Sequence, residues 1–269
     1  MIGINLLGKM KERLANQMFQ YAAVKGIAKN RGFQYCVPPS NYHGVEDQWD
    51  EHQIFNTFEL KNLNPLQIQY LDDNRCRYIR PEHFHFDSDL FNGCPDNVSL
   101  LGYFQSEKYF LNVREELLED FTFKGGLQED CKKFIEDYDE PIALHIRRTD
   151  YSKYSHHPML SLTYYAEALE HFDSDRTVFI FSDDPEWCVD QKLFEDDRFM
   201  ISGNDHLTDM CMMTLCSDFI IANSSFSWWG AWLSTNENKK VIAPKKWFGP
   251  PLSEEHDTKD LYCEGWTVI

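Results

Sequence analysis

The chain has 269 residues, 42% of them hydrophobic and 15% aromatic, enough for one large or two modest globular domains with a buried core. Its 26 Lys+Arg against 44 Asp+Glu give a formal net charge of -18, which argues against nucleic acid as a partner, because a phosphate backbone demands a basic footprint, and against an anionic membrane surface. No stretch approaches the roughly 18 to 20 apolar residues of a membrane span, and Met1 to Leu7 is too short and lacks the basic start of a signal peptide, so no transmembrane segment and a cytoplasmic protein are expected.

In chain order, Ile2 to Leu7 reads as a strand. The polar loop Gly8 to Ala15 leads into a helix from Asn16 to Asn30, ended by Arg31-Gly32, and Phe33 to Val37 is the next strand, a beta-alpha-beta opening. Residues 38 to 100 are rich in Asn, Asp, His and aromatics, with Pro38-Pro39 as a breaker and no sustained period, and are expected to form loops and short helices covering a cleft. Leu100 to Phe104 reads as a strand, Glu107 to Phe121 as a helix, Gly125-Gly126 as a break, and Leu127 to Tyr138 as a helix. The pattern divides the chain into an N-terminal α/β domain, 1–138, and a C-terminal one, 139–269.

From Pro141 the alternation is regular. Strands are expected at 141–147, 177–182, 218–222 and 240–243, and helices at Leu162 to His171, Pro185 to Val189, Thr208 to Cys216 and 227–233. Such alternation implies a parallel sheet whose ligand sits beyond the strand C-termini. Three polar clusters fall at those ends: His145 to Asp150, Ser182 to Asp184, and Asn223 to Ser227. In the first, Arg147 and Arg148 offer planar forks that match phosphate oxygens two at a time. In an extended segment they point to opposite faces, so one would touch the anion and the other would pair with Asp150 or another acid. In the third, Ser224, Ser225, Phe226 and Ser227 enter a helix, where free amides, hydroxyls and the helix dipole favour a phosphate, although serine capping alone also accounts for part of the pattern. No G-x-G-x-x-G follows the first strand, which disfavours a dinucleotide redox cofactor. The eight cysteines lack the spacing of a zinc site and are read as reduced core thiols.

These residues resemble glycosyltransferase family 11, the alpha-1,2-fucosyltransferases. An HxRRxDY block is matched at His145, Arg147, Arg148, Asp150 and Tyr151, with Thr149 where glycine is usual. An FSDD block is matched at Phe181 to Asp184, NSSFSWWGAWL at Asn223 to Leu233, and VIAPKxWF at Val241 to Phe248. A GRLGNQMFQYA block is similar to Glu12 to Ala22, with Glu12 and Ala15 in place of its glycines. The resemblance implies two Rossmann-like α/β domains facing a cleft, a GT-B-like fold, with the donor bound by the C-terminal domain and the acceptor by the N-terminal one. It implies inverting transfer of L-fucose from GDP-fucose to a galactoside-containing glycan, with no metal and no cofactor besides the donor.

Glycosyl transfer makes the anomeric carbon oxocarbenium-like while a diphosphate leaves, and a guanidinium stabilises the leaving oxygens as a metal would. Arg147 is the first choice for the beta-phosphate and Arg148 the second. Related enzymes with this block set His145 against the nucleoside. Asp183 and Asp184 could accept from ribose or guanine, or cap the helix that Pro185 opens. Asn16 could reach the fucosyl oxygen or simply cap its helix. Asp150 is the first candidate base, though an arginine partner would weaken it; His156 and His157 are looser candidates. Asp87-Ser-Asp89 and Asp173-Ser-Asp175 are read as chance triplets in an acidic chain, not a metal site. Trp228, Trp229, Trp232 and Trp247 fit a buried core better than a sugar-stacking face. A GDP-sugar transferase of different donor or acceptor, akin to protein O-fucosyltransferases, and a non-catalytic carbohydrate-binding protein are the alternatives.

Overall fold

A computed structural model describes residues 1–8, 13–39, 53–72 and 74–269. Half of the loop read from Gly8 to Ala15, including Glu12, and part of the 38–100 region lie outside the described residues. The chain forms two compact units, Met1–Lys124 with Asp257–Cys263, and Gly125–His256 with Glu264–Ile269.

The first unit holds four parallel strands, β1 (Ile2–Gly3), β2 (Tyr35–Cys36), β3 (Arg77–Ile79) and β4 (Val98–Leu100), in the order β2-β1-β4-β3. Helix Leu14–Arg31 is buried along most of its length. It stops where Gly32 takes a left-handed φ of 68° and its N–H bonds to the Ala28 and Lys29 carbonyls, a conformation glycine adopts without a Cβ penalty. Gly26 lets the 107–113 segment lie against the same helix, since a Cβ there would meet the Tyr109 carbonyl oxygen at 2.1 Å.

Several expected elements differ here. The first helix begins at Leu14, not Asn16, with Arg13 at the cap. The 38–100 region contributes β3 and β4, which sequence reading misses because three-residue strands show no alternation. The strand read at 100–104 ends at Leu100, because Gly102 and Phe104 carry φ of 154° and 54° and turn the chain away. The helix read at 107–121 is two 3-10 turns followed by Arg114–Asp120.

The division between units lies at Lys124/Gly125 instead of 138/139. Gly125 and Gly126 break the chain with φ of 69° and 78°, and helix Leu127–Ile135 then belongs to the second unit. Phe134 and, beyond the helix, Tyr138 place their rings 5.8 and 5.0 Å from Phe179 there. Residues 257–263 return to the first unit, where Asp260 lies 2.5 Å from Lys108 and accepts from the Phe86 amide at 3.3 Å.

The second unit is a six-stranded parallel sheet: β5 (Ile142–Ile146), β6 (Val178–Ser182), β7 (Phe199–Ile201), β8 (Asp218–Ile220), β9 (Val241–Ala243) and β10 (Thr267–Val268), ordered β10-β9-β8-β5-β6-β7. β7 and β10 are edge strands that sequence reading passes over, short and only partly buried. Strand order runs outward from β5 through β6 to β7, then restarts on its other side at β8. The switch point between β5 and β8 is where parallel α/β sheets take their ligands. Below it the core is aliphatic, with Ile142, Leu144, Ile146, Val178, Ile180, Ile220 and Ile242 packed under Tyr164, Tyr165 and Leu169. Trp228, Trp229, Trp232 and Trp247 are buried, the first two in a T-shaped pair 5.1 Å apart, so these rings are core. All eight cysteines are free thiols.

Candidate active site

β5, β6 and β8 deliver the polar clusters to one edge of the second sheet, and register sets which groups meet. Ile146 pairs with Ser182 across β5 and β6, so the residues that follow, Arg147 and Asp183, leave neighbouring strands side by side. Arg147 Nη1 lies 3.3 Å from Asp183 Oδ2 and Nη2 lies 2.8 Å from Asp150 Oδ1, with the guanidinium 5.7 Å from the Tyr151 ring. Burial works against the guanidinium's charge, but the two carboxylates outweigh it and push its pKa up.

Arg148 is held elsewhere. Its Nε donates to Asp184 Oδ2 at 3.0 Å, and the guanidinium stacks on Trp187 at 3.7 Å. Asp184 also caps helix Pro185–Val189, accepting from the Trp187 amide at 3.4 Å. Asp183 is fastened by the loop before it: the Arg148 amide donates at 2.8 Å, the Thr149 amide at 3.1 Å, and the Thr149 hydroxyl donates as well.

Across the switch point His145 is buried, its Nδ1 3.0 Å from Ser227 Oγ and its ring 5.4 Å from Phe226. Burial first, and Arg147 second, push its pKa down to about 3, so the imidazole is neutral and offers hydrogen bonds without charge. The helix opens at Ser225, two residues before the sequence reading, with Ser224 as cap accepting from the Phe226 amide at 3.3 Å. Ser227 is turned inward onto His145 and the Ser224 carbonyl. The Ser225 hydroxyl makes no hydrogen bond among the described residues. Asn223 braces the surrounding loops, donating at 3.0 Å to the carbonyls of both Pro158 and Trp247, while Tyr151 donates to the Asn223 carbonyl at 2.9 Å. His157 stacks on Tyr151 at 5.0 Å and adjoins His156 at 4.6 Å; burial, then His156, lower its pKa.

Asn16 lies in the first unit, inside the first turn of its helix rather than at the cap, and its Oδ1 accepts from Gln105 Nε2 at 2.9 Å. Of the two acidic triplets, Asp87 caps helix Ser88–Gly93, accepting from Leu90 at 2.8 Å. Among the described residues no group of three His, Cys, Asp or Glu could hold a metal ion, and no helix is long and apolar enough to cross a membrane.

Sequence reasoning passed over two participants and, apart from them, one buried acid. Thr149 clamps Asp183, and its hydroxyl at the one position where the block departs from glycine was the available signal. Trp187 carries Arg148, following the FSDD block at helical spacing. Asp209 is buried just past β7, where Ser202 donates to it and burial raises its pKa to about 6. Nothing in the sequence separates it from the chain's many other acids.

Comparison with known proteins identifies the family. The family model for glycosyl transferase family 11 matches residues 7–269. The chain belongs to glycosyltransferase family 11. Among its relatives in Escherichia coli, an alpha-1,2-colitosyltransferase is 29% identical with 98% of each chain covered, and the O-antigen biosynthesis glycosyltransferase WbnK is 32% identical over 87% of this chain and 92% of that one. The galactoside alpha-(1,2)-fucosyltransferase 2 of Bos taurus is 24% identical over 87% of this chain and 69% of its own. The fold is shared with the fucosyltransferase NodZ from Bradyrhizobium, at a TM-score of 0.55 and 13% identity over 86% of this chain and 92% of that one; NodZ has also been co-crystallised with GDP. This family 11 chain thus has the expected α/β, GT-B-like fold class with parallel sheets, and it is a glycosyltransferase.

Proposed function

We propose that the chain is an inverting, metal-independent alpha-1,2-fucosyltransferase that moves L-fucose from GDP-beta-L-fucose to the 2-hydroxyl of a beta-galactoside. The observation that carries this reading is Arg147 directly after β5 at the switch point of a six-stranded parallel sheet, with a serine-capped helix start following the neighbouring β8. In this reading the guanidinium and the Ser225 amide and hydroxyl receive the diphosphate, and neutral His145 supports the nucleoside side. The acceptor oxygen bonds to the anomeric carbon from the face opposite the leaving group. The bond from that carbon to the beta-phosphate oxygen breaks, and GDP departs with the electron pair. Charge on the departing oxygens is what Arg147 is placed to stabilise. The acceptor proton passes to a base, for which Asp150 is nearest the arginine. The donor belongs to the second unit and the acceptor chiefly to the first, where Asn16 acts on the transferred sugar.

The E. coli relative named alpha-1,2-colitosyltransferase supports a second reading, transfer of colitose with the same linkage. A panel of GDP-sugars with beta-galactoside acceptors, read by NMR of the product linkage, decides between them. An alpha-1,2-fucosyl product is expected. Transfer from a colitosyl donor and none from GDP-fucose would establish the second reading.

A further inference from the structure

We infer that Gln105 is a positioning residue: it holds the oxygen of the Asn16 carboxamide and so leaves Nδ2, the donating end, for the sugar being transferred. This rests on the transferase reading above and adds to it the polarity of one contact and the group that sets it.

The starting point is burial. From Leu14 to Ala28 every residue of the first helix is buried except Asn16. Its carboxamide offers one accepting oxygen and two donating hydrogens. The oxygen is taken, since Gln105 Nε2 donates to Oδ1 at 2.9 Å. Nδ2 makes no hydrogen bond among the described residues, so the part of the side chain that remains for a ligand is the part that donates. The loop that carries Gln105 is built to hold it there. Phe104 has a φ of 54°, a left-handed conformation that an aromatic residue adopts only when its surroundings compel it. Here they do: Phe104 is 2% exposed, with its ring edge-on to Tyr109 at 5.3 Å, and the Ser106 amide donates back to the Phe104 carbonyl at 2.8 Å, folding the chain around Gln105. Gln20, one helical turn after Asn16 and on the same helix face, donates to the Gly102 carbonyl at 3.1 Å. Helix and loop are thus joined at two points, and Gln105, 9% exposed, has little room to swing away.

Polarity matters because of how charge moves in the reaction. As the glycosidic bond breaks, the departing oxygen becomes negative while the ring oxygen becomes positive. A hydrogen-bond donor is favourable at the first and unfavourable at the second; an acceptor is the reverse. A carboxamide without a partner would turn and offer either end, so half of its orientations would work against the reaction. Gln105 fixes the end that donates. The contact strengthens as charge develops, so it raises kcat more than it tightens donor binding.

The test uses the full chain, GDP titration and transfer from GDP-fucose to a beta-galactoside. Asn16→Asp keeps the acceptor that Gln105 needs and removes the donor; it should lose about ten-fold in kcat with GDP affinity unchanged. Gln105→Glu can only accept, which turns Nδ2 inward, and should lose about as much. Gln105→Met leaves the carboxamide free to turn and should lose less, about two- to five-fold. In an Asn16→Ala background Gln105→Met should cost nothing further, because its effect passes through Asn16. Parent turnover in Asn16→Asp would overturn the polarity, since the reverse pairing, with Asn16 donating to Gln105, leaves an oxygen outward and tolerates the acid; this variant decides even where a change at Gln105 prevents folding. Equal losses from Gln105→Met in the two backgrounds, or parent turnover in Gln105→Glu, would overturn Gln105 as the positioning group. Loss of GDP affinity in any of these variants while folded would overturn a contact confined to the transferred sugar. An unmodified chain that neither binds GDP nor transfers sugar would overturn the transferase reading itself, which separates the two failures.

Discussion

Lys25 in the first unit and Arg147 in the second are both enclosed cations beside carboxylates, and they are built differently. Lys25 lies 2.5 Å from Asp120, with the two side chains 3% and 0% exposed. The Asp120 carboxylate is completed by the Tyr21 hydroxyl at 2.8 Å and the Asn62 amide at 2.6 Å. Arg147 keeps 18% of its side chain exposed between two acids on loops at a sheet edge. The first arrangement leaves nothing for a ligand to take and serves only to hold helix Leu14–Arg31 against Arg114–Asp120. The second keeps part of the guanidinium exposed, so a ligand can reach it, which the enclosed lysine does not allow.

The strongest way to break that comparison is on the structural side. Asp120→Ala leaves Lys25 buried with only half-exposed Glu116, at 3.2 Å, as partner, and should cost about 3–5 kcal/mol in urea unfolding. Arg147→Ala should stay close to the parent stability; equal losses in the two variants would erase the distinction.

On the binding side, Arg147→Lys should lose about a hundred- to a thousand-fold in turnover, about 3–4 kcal/mol, with its unfolding midpoint unchanged, because an ammonium cannot reproduce the fork. Near-normal turnover in that variant with Arg148→Lys inactive would transfer the role to the arginine on Trp187.

Stability against pH sharpens the comparison further, because His145 and Asp209 slope in opposite directions. His145, pushed down to about 3 from 6.5, favours the folded state above pH 6.5 and loses that contribution as pH falls towards 3. Asp209, raised to about 6 from 3.8, favours the folded state below pH 3.8 and loses its contribution as pH rises through 6. Asp209→Asn should therefore stabilise the chain at pH 8 by on the order of 2–3 kcal/mol and not at pH 4. Calorimetric midpoints at the two pH values check this, and equal gains at both would refute the assignment.

A smaller effect is expected in the first unit. Asn16→Ala should reduce turnover by about ten-fold while leaving GDP affinity near the parent value, as befits a group acting mainly in the transition state. Ser225→Ala and Arg147→Ala should instead weaken GDP binding in titration. Loss of GDP affinity in a folded Asn16→Ala protein would show that the nucleotide needs both units. The smallest expected effect is none: EDTA should leave GDP binding and turnover unchanged, and abolition of either would defeat the arginine-centred reading.

The sequence by itself determined the parts with a continuous local signal. β5, β6 and β8 lie on apolar runs, Ile142 to Leu144, Val178 to Phe181 and Phe219 to Ala222, that lead into polar clusters, and helix Leu14–Arg31 is long and closed by Gly32. That was enough to place His145 to Asp150, Asp183, Asp184 and Ser224 to Ser227 at one sheet edge, and the ordered blocks were enough for the family. The tertiary structure alone decided who touches whom. Strands such as β3, β7 and β10 are too short and too exposed to show a period, and the helix after Gly125-Gly126 joins the second unit because Phe134 finds Phe179 there. The double pairing of Arg147 depends on the register of β5 against β6, the inward turn of Ser227 on the spacing of β5 and β8, and the raised pKa of Asp209 on burial beyond β7. Each is a long-range contact set by packing and strand register, which local propensity does not encode.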